Sequence, residues 1–450
     1  MAKAPGAAKS PRPAARRPET GAGLEARRLA WQAVADTWRR RMPLDDILDE
    51  LARGADLEPR DEALARAIAI VTFRRLGTLR HAIRSRLDRG LPKERELLAL
   101  LLIGGAQILF LDVPDHAAVD TAVELARGDP RLRHAAGLVN ALLRRLGRER
   151  DAILDEGDPW RDTPDWLKVR WIAAYGHEAA RAIAEAHRSS ASVDLTIRED
   201  PAAWSERLDG VLLPTGSVRL RGRTAIRDLP GFAEGVWWVQ DAAAALPARL
   251  LKPQSGERIA DLCAAPGGKT AQLAAAGASV LAVDRSAKRL QRVEENLARL
   301  GLTAETRALD ALELEAGPFD AVLLDAPCLA TGTIRRHPDV PWSKAKEDIP
   351  RLANLQARLL DKAAALLKPA GRLVYCTCSL EPEEGERQAE AFLQRHPGFA
   401  RVPVEAAEIG GLAEAVTPAG DLRTLPSHLR LEETERSGVD GFFAARFVKG

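Results

Sequence analysis

Much that would classify this chain quickly is scarce in it. Four cysteines in 450 residues are too few for a disulfide framework, and none form a CxxC pair. Only Cys376 and Cys378 lie close together, so there is no spacing for a structural zinc site and no metal is expected. A reduced, cytoplasmic setting follows. Aromatic residues are sparse, with nine Trp, nine Phe and two Tyr, which limits base stacking as a general binding mode. Net charge is almost absent: 66 Lys and Arg stand against 64 Asp and Glu, so no overall basic footprint marks a nucleic-acid partner. Only 12 of the basic residues are Lys. An Arg excess suits bidentate phosphate contacts, yet composition alone leaves RNA binding open. The longest apolar run, 97–111, is interrupted by Gln107. It falls short of the roughly 20 residues that cross a bilayer and reads as a buried helix, with no membrane partner. Residues 1–23 carry five basic groups, one acid and no apolar stretch. They read as a disordered basic tail, not a secretory signal.

What is present is enough apolar content, 46%, for sizeable cores, and enough length for two to four domains at about 150 residues each. From residue 24 to 150 the pattern is helical. Trp31, Val34, Ala35 and Trp38 fall on one helix face, as do Leu64, Ile68 and Val71. Further helices are expected over 97–111, 117–127 and 134–146, about five in all. The stretches Val113–Val119, Glu124–Ala126 and Gly137–Arg144 resemble the NusB-like antitermination-factor fold. That likeness implies an RNA-binding domain over 24–150, with Asn140 open to either helix packing or RNA contact. Six Arg against one acid over 131–150 make a candidate phosphate-facing patch. Residues 151–238 read as a small α+β unit: a Trp-rich segment leads into a helix, and short strands follow near 193–198, 211–213 and 218–220. Its sheet is a candidate RNA surface. From Val239 to Gly450 strand and helix alternate, the signature of an open, mostly parallel sheet. Strands are expected at 258–262, 280–283, 319–324, 373–376 and 441–448, and helices from about 270 and over 286–300, 351–367 and 383–395.

The richest segment is Asp261-Leu-Cys263-Ala264-Ala265-Pro266-Gly267-Gly268-Lys269-Thr270. A phosphate-binding P-loop would need glycine where Cys263 stands, and Pro266 stiffens the turn. Gly267 and Gly268 instead let backbone approach a ligand at the first strand's carboxyl end, beside a helix N-terminus. Asp284, ending the second strand, is placed for a ribose diol, although capping of the next helix explains it nearly as well. Asp310, after the strand-like 306–309, suits an adenine amino group. Together these describe an adenosine-bearing ligand without a phosphate requirement, which fits S-adenosyl-L-methionine. Asp325-Ala-Pro-Cys328 and Thr377-Cys378-Ser379 follow neighbouring strands and converge on the same crevice. Cys263 and Cys376 read as small buried hydrophobes.

Asp261–Thr270, Asp325–Cys328 and Thr377–Ser379 resemble the signature motifs of the RNA 5-methylcytosine methyltransferases. Arg335–Asp339 adds to the likeness. The resemblance implies a Rossmann-like methyltransferase unit over 239–450 with a seven-stranded, mostly parallel sheet. It implies S-adenosyl-L-methionine held by Cys263–Lys269, Asp284, Asp310 and Asp325. The substrate implied is a cytosine of 16S rRNA, free or in a small-subunit assembly intermediate, bound by a monomer. By the same likeness Cys378 is the nucleophile, Cys328 assists release, and Asp325 bonds the cytosine N3/N4 edge. Chemistry alone leaves the two thiols unranked, since DNA 5-methylcytosine enzymes use the cysteine of a Pro-Cys pair. Lys269 reads as a support for the turn or a contact to RNA phosphate. Leu329 departs from the family, which has Ser or Thr there, and puts a hydroxyl contact beside Cys328 in doubt. The same chemistry on tRNA and a non-enzymatic RNA-binding module are the competing readings.

Overall fold

The computed structural model describes residues 22–450 apart from 56 and 223. Most of the basic tail expected over 1–23 lies outside them. Among the described residues, eight helices run from Ala22–Arg40 to Arg150–Asp155, more than the five or so expected. Arg75, between Pro59–Arg74 and Leu76–Arg84, has φ −113°, so one apolar stretch is divided into two helices. Leu29, Trp31, Val34, Ile68 and Phe73 share one core with the apolar helix Arg95–Phe110. Trp38 packs on its rim, edge-on to Phe73 at 5.7 Å. None of the described helices is long and apolar enough to cross a membrane.

The middle segment opens with Asp165–His187, which bends at Gly176, where φ is +78°. A four-stranded antiparallel sheet follows, in the order β2-β3-β1-β4. Its strands are β1 (Asp194–Ile197), β2 (Gly210–Leu212), β3 (Val218–Leu220) and β4 (Trp237–Val239). Sequence alternation suggested a two-faced β1, with Leu195 and Ile197 opposite Thr196. Instead all four of its residues are buried, and Thr196 Oγ1 donates to Gln240 Oε1 at 2.9 Å. Asp194 and Arg219 form a bidentate pair (2.6 and 2.7 Å) at the centre, both almost fully buried.

The C-terminal unit is built on β5 (Arg258–Leu262), β6 (Ser279–Asp284), β7 (Glu305–Ala308), β8 (Phe319–Asp325), β9 (Leu367–Thr377), β10 (Phe399–Arg401), β11 (Leu422–Thr424) and β12 (Phe442–Lys449). Seven strands run in the order β10-β12-β9-β8-β5-β6-β7, and β11 pairs with β12 as an eighth. β5 to β9 are parallel, while β12 enters antiparallel beside β9. Both faces are covered, so β5, β6 and β8 read as continuous apolar runs. β9 starts six residues earlier than its sequence pattern suggests. Lys368-Pro-Ala-Gly371 is absorbed by a register irregularity against β8, with Ala370 at φ +59°. The order reverses between β5 and β8, where open α/β sheets bind ligands at strand carboxyl ends.

Candidate active site

Four of the motifs end on this line of carboxyl ends. β5 runs into Cys263, whose φ is +63°, and then into the glycine turn. Gly267 takes φ +98°, and a Cβ there would lie 2.8 Å from Val293 Cγ1. Only glycine fits that position without strain. At Gly268 a Cβ would sit 3.2 Å from the Gln240 side chain, which binds Gln272 at 2.8 Å on the helix Gly268–Ala275. Asp284 ends β6 buried. Its carboxylate accepts from Ala265 N (3.2 Å) and Ser286 N (3.0 Å), with Arg289 3.4 Å away. Asp284 therefore ties the turn to the second strand, and each oxygen keeps a further lone pair. Asp310 stands exposed past β7 and caps a short turn through Leu312 N at 2.9 Å.

Asp325, ending β8, is gripped from two sides. Lys269 Nζ donates to Oδ2 at 2.8 Å, and Cys376 Sγ lies 3.6 Å from Oδ1. Lys269 is buried and rests over the Phe442 ring at 4.8 Å. Burial opposes its charge, but the Asp325 carboxylate outweighs that and holds the ammonium above its ordinary pKa. Of the two roles expected for Lys269, support for the turn or contact to RNA phosphate, the ion pair to Asp325 accords with the first. Burial, then the Asp325 charge, push the Cys376 thiol well up, so it stays a neutral donor beside the carboxylate. The Cys263 thiol is raised to about 12, mainly by burial.

Cys328 and Cys378, 50 residues apart, place their sulfurs 3.5 Å from each other at the ends of adjacent strands. The Cys378 sulfur and burial together raise the Cys328 thiol well above its ordinary pKa. Leu329 has no hydroxyl to offer and is fully buried, packing with Ile349, Leu352 and Trp166. Its backbone N–H donates to the buried Glu384 carboxylate at 3.1 and 3.2 Å. Packing and this backbone bond hold the segment after Cys328, without a side-chain hydroxyl.

A cavity of about 450 Å³ opens in front of the turn, lined by Pro266, Gly268, Lys269, Asp325, Arg336 and Asp440 among others. Arg336 is a residue that motif reading used only as likeness. It binds Asp241 (2.7 Å) and Asp440 (3.0 Å), joining three loops around the cavity. The doublet Arg335-Arg336 in a loop was the available signal, but its partners lie about 100 residues away on either side.

The 16S rRNA methyltransferase RsmB/F family matches residues 248–448, and the NusB family matches residues 24–148. The ribosomal RNA small subunit methyltransferase B of Salmonella arizonae is 38% identical over 448 residues, covering 94% of this chain and 98% of that protein. A methyltransferase homolog protein from Pyrococcus horikoshii is 29% identical, with a TM-score of 0.53 over 67% of this chain and 98% of that one. The crystal structure of PH0851 superposes with a TM-score of 0.74 over 95% of this chain and 99% of its own, at 24% identity. That last likeness is one of fold. Motifs, fold and near full-length similarity agree: the chain belongs to the ribosomal RNA small subunit methyltransferase B family.

Proposed function

We propose that the protein methylates C5 of a cytosine in 16S rRNA, using S-adenosyl-L-methionine and a transient covalent bond from Cys378 to cytosine C6. The observation that carries this is the pair of sulfurs 3.5 Å apart beside an Asp325 carboxylate held by Lys269. The turn fits the cosubstrate. Gly267 and Gly268 leave backbone open where a side chain would collide, and Asp284 and Asp310 present acceptors at the next two strand ends. Cys263–Lys269, Asp284, Asp310 and Asp325 would hold it. When bound, it supplies an electrophilic sulfonium methyl group.

The remaining chemistry belongs to the chain. Cytosine C5 is a poor nucleophile until a thiolate adds at C6, which makes C5 an enamine carbon. Cys378 forms that bond. The Cys328 thiol donates toward the Cys378 sulfur as the C6–S bond breaks and so stabilises the departing thiolate. Asp325, oriented by Lys269 and Cys376, accepts from the cytosine N4 amino group and fixes the ring as charge shifts into it. The C5 proton then passes to solvent water in the open cavity, its C–H electron pair closes the C5=C6 double bond, and the C6–S bond breaks with its electrons returning to Cys378. The base has to leave its helix to reach these groups.

Full-length protein incubated with methyl-labelled S-adenosylmethionine and 16S rRNA tests the reaction. Labelled 5-methylcytidine after nuclease digestion, confined to one position by bisulfite sequencing, is the expected result. Label in another nucleoside, or in tRNA but not 16S rRNA, would contradict it.

A further inference from the structure

Away from the catalytic crevice, two cavities of about 550 and 390 Å³ lie side by side and share Arg80 and Trp342. All three parts of the chain build them. The helix Leu76–Arg84 supplies one wall, the segment from Trp160 to Lys168 a second, and Trp342–Lys344 of the catalytic unit a third. The joined groove is unevenly charged. Arg41, Arg80, Arg84, Arg95 and Lys344 line it, and none of them forms an ion pair among the described residues. Of the acids there, Asp158 faces Arg181 at 3.8 Å and Asp348 faces Arg351 at 3.4 Å; Asp165 opens a helix, where a carboxylate is favoured.

The Arg-rich stretch 131–150 differs. There Arg131 pairs with Asp129 (2.7 Å), Arg144 with Asp120 (3.8 Å) and Arg145 with Glu149 (2.8 Å). Three of its six Arg are answered by carboxylates among the described residues, whereas none of the five groove cations named above is. The groove also offers a ring. Trp342 is half-buried, and its indole N–H donates to Phe73 O at 3.1 Å, which fixes the ring between the two cavities. The groove is one packing layer from the chemistry. Trp166, next to the wall residue Asp165, packs on Leu329, which follows Cys328 directly.

We propose that this groove binds a single-stranded stretch of the substrate RNA flanking the reactive cytosine, with phosphates on the unpaired cations and a base against Trp342. The proposal rests on the rRNA methyl-transfer reading above. Each phosphate contact to a single strand releases a counterion and contributes about 0.7 to the slope of log K against log salt.

The test uses full-length Arg80→Ala/Arg84→Ala/Lys344→Ala, with Arg144→Ala/Arg145→Ala as the control, 16S rRNA as substrate and a mixed-sequence single-stranded RNA as binding probe. The triple variant should lose about 2 from the salt slope and raise KM for 16S rRNA at least tenfold. Its kcat at saturating RNA and its affinity for S-adenosylmethionine should stay those of wild type. An unchanged slope and KM, or a control that matches the triple, would overturn the groove assignment. Should the triple variant unfold, Lys344→Ala alone decides, with an expected loss of about 0.7. Wild type that binds RNA with a salt slope yet transfers no methyl would defeat the functional reading, and the slope comparison would still judge the groove.

Discussion

Two sulfurs face each other in this site, 3.5 Å apart at the ends of adjacent strands. The Cys378 sulfur, and then burial, raise the Cys328 thiol, which under the proposed reaction assists departure of Cys378, so removing it should spare attack and impair release. Cys328→Ala is expected to accumulate a covalent protein complex with unmodified RNA on denaturing gels, with turnover down roughly 10²-fold. An unchanged turnover and no accumulated complex would remove Cys328 from the release step. The pair Lys269–Asp325 lay hidden in the sequence, because the two residues are 56 positions apart and each belongs to a different motif. Asp261 carries a separate, pH-linked signature. Burial lifts its carboxyl from 3.8 to about 7, and Thr270 Oγ1 donates to it at 2.6 Å. With the folded pKa above the unfolded one, its stabilising contribution is complete below pH 3.8 and is lost as pH rises through about 7. Wild-type Tm relative to Asp261→Asn should therefore decline between about pH 4 and 7 and level off above that. A difference that stays constant over that window would contradict the assignment.

At the scale of elements, strands with uniform apolar text were legible: β5, β6 and β12 fall within a residue or two of their sequence patterns. Long amphipathic helices were equally clear, such as Ala287–Arg299. The short edge strands β10 and β11 were not. Their three residues each show no period, and they exist because β12 offers them an edge to pair with. The turn between β5 and its helix was readable because glycine at φ +98° is a local requirement that composition displays. Gly267→Ala places a Cβ against Val293 in a conformation that disfavours side chains, at a cost of roughly 1–3 kcal/mol. A lower Tm and at least tenfold weaker S-adenosylmethionine binding by calorimetry are expected. Wild-type affinity in that variant would show that the turn does not hold the cosubstrate.

Across the whole molecule, side chains lock the parts together at positions no motif marks. Asp339 accepts from Leu44 N at 3.1 Å, Arg74 donates to Arg335 O at 2.8 Å, and Arg170 binds both Glu381 and Glu383. Arg219, paired with Asp194, also donates to Gly438 O at 2.8 Å and so clamps the small sheet onto the catalytic unit. Removing one member of such a buried pair strands the other charge, at roughly 3–5 kcal/mol. Asp194→Ala should lower Tm by many degrees at any salt concentration, whereas loss of an exposed pair would be masked at high salt; a Tm within a degree or two of wild type would refute the clamp. The first two of these contacts tie the segment 329–350, which follows Cys328, to the helical domain. The central claim is that Cys378 makes the bond to cytosine. It is tested most directly by incubating full-length wild type, Cys378→Ala and Cys328→Ala with S-adenosylmethionine and 16S rRNA containing 5-fluorocytidine, whose C5 fluorine blocks release. The account predicts a denaturation-resistant complex with wild type and Cys328→Ala and none with Cys378→Ala; a complex that survives loss of Cys378 would contradict it.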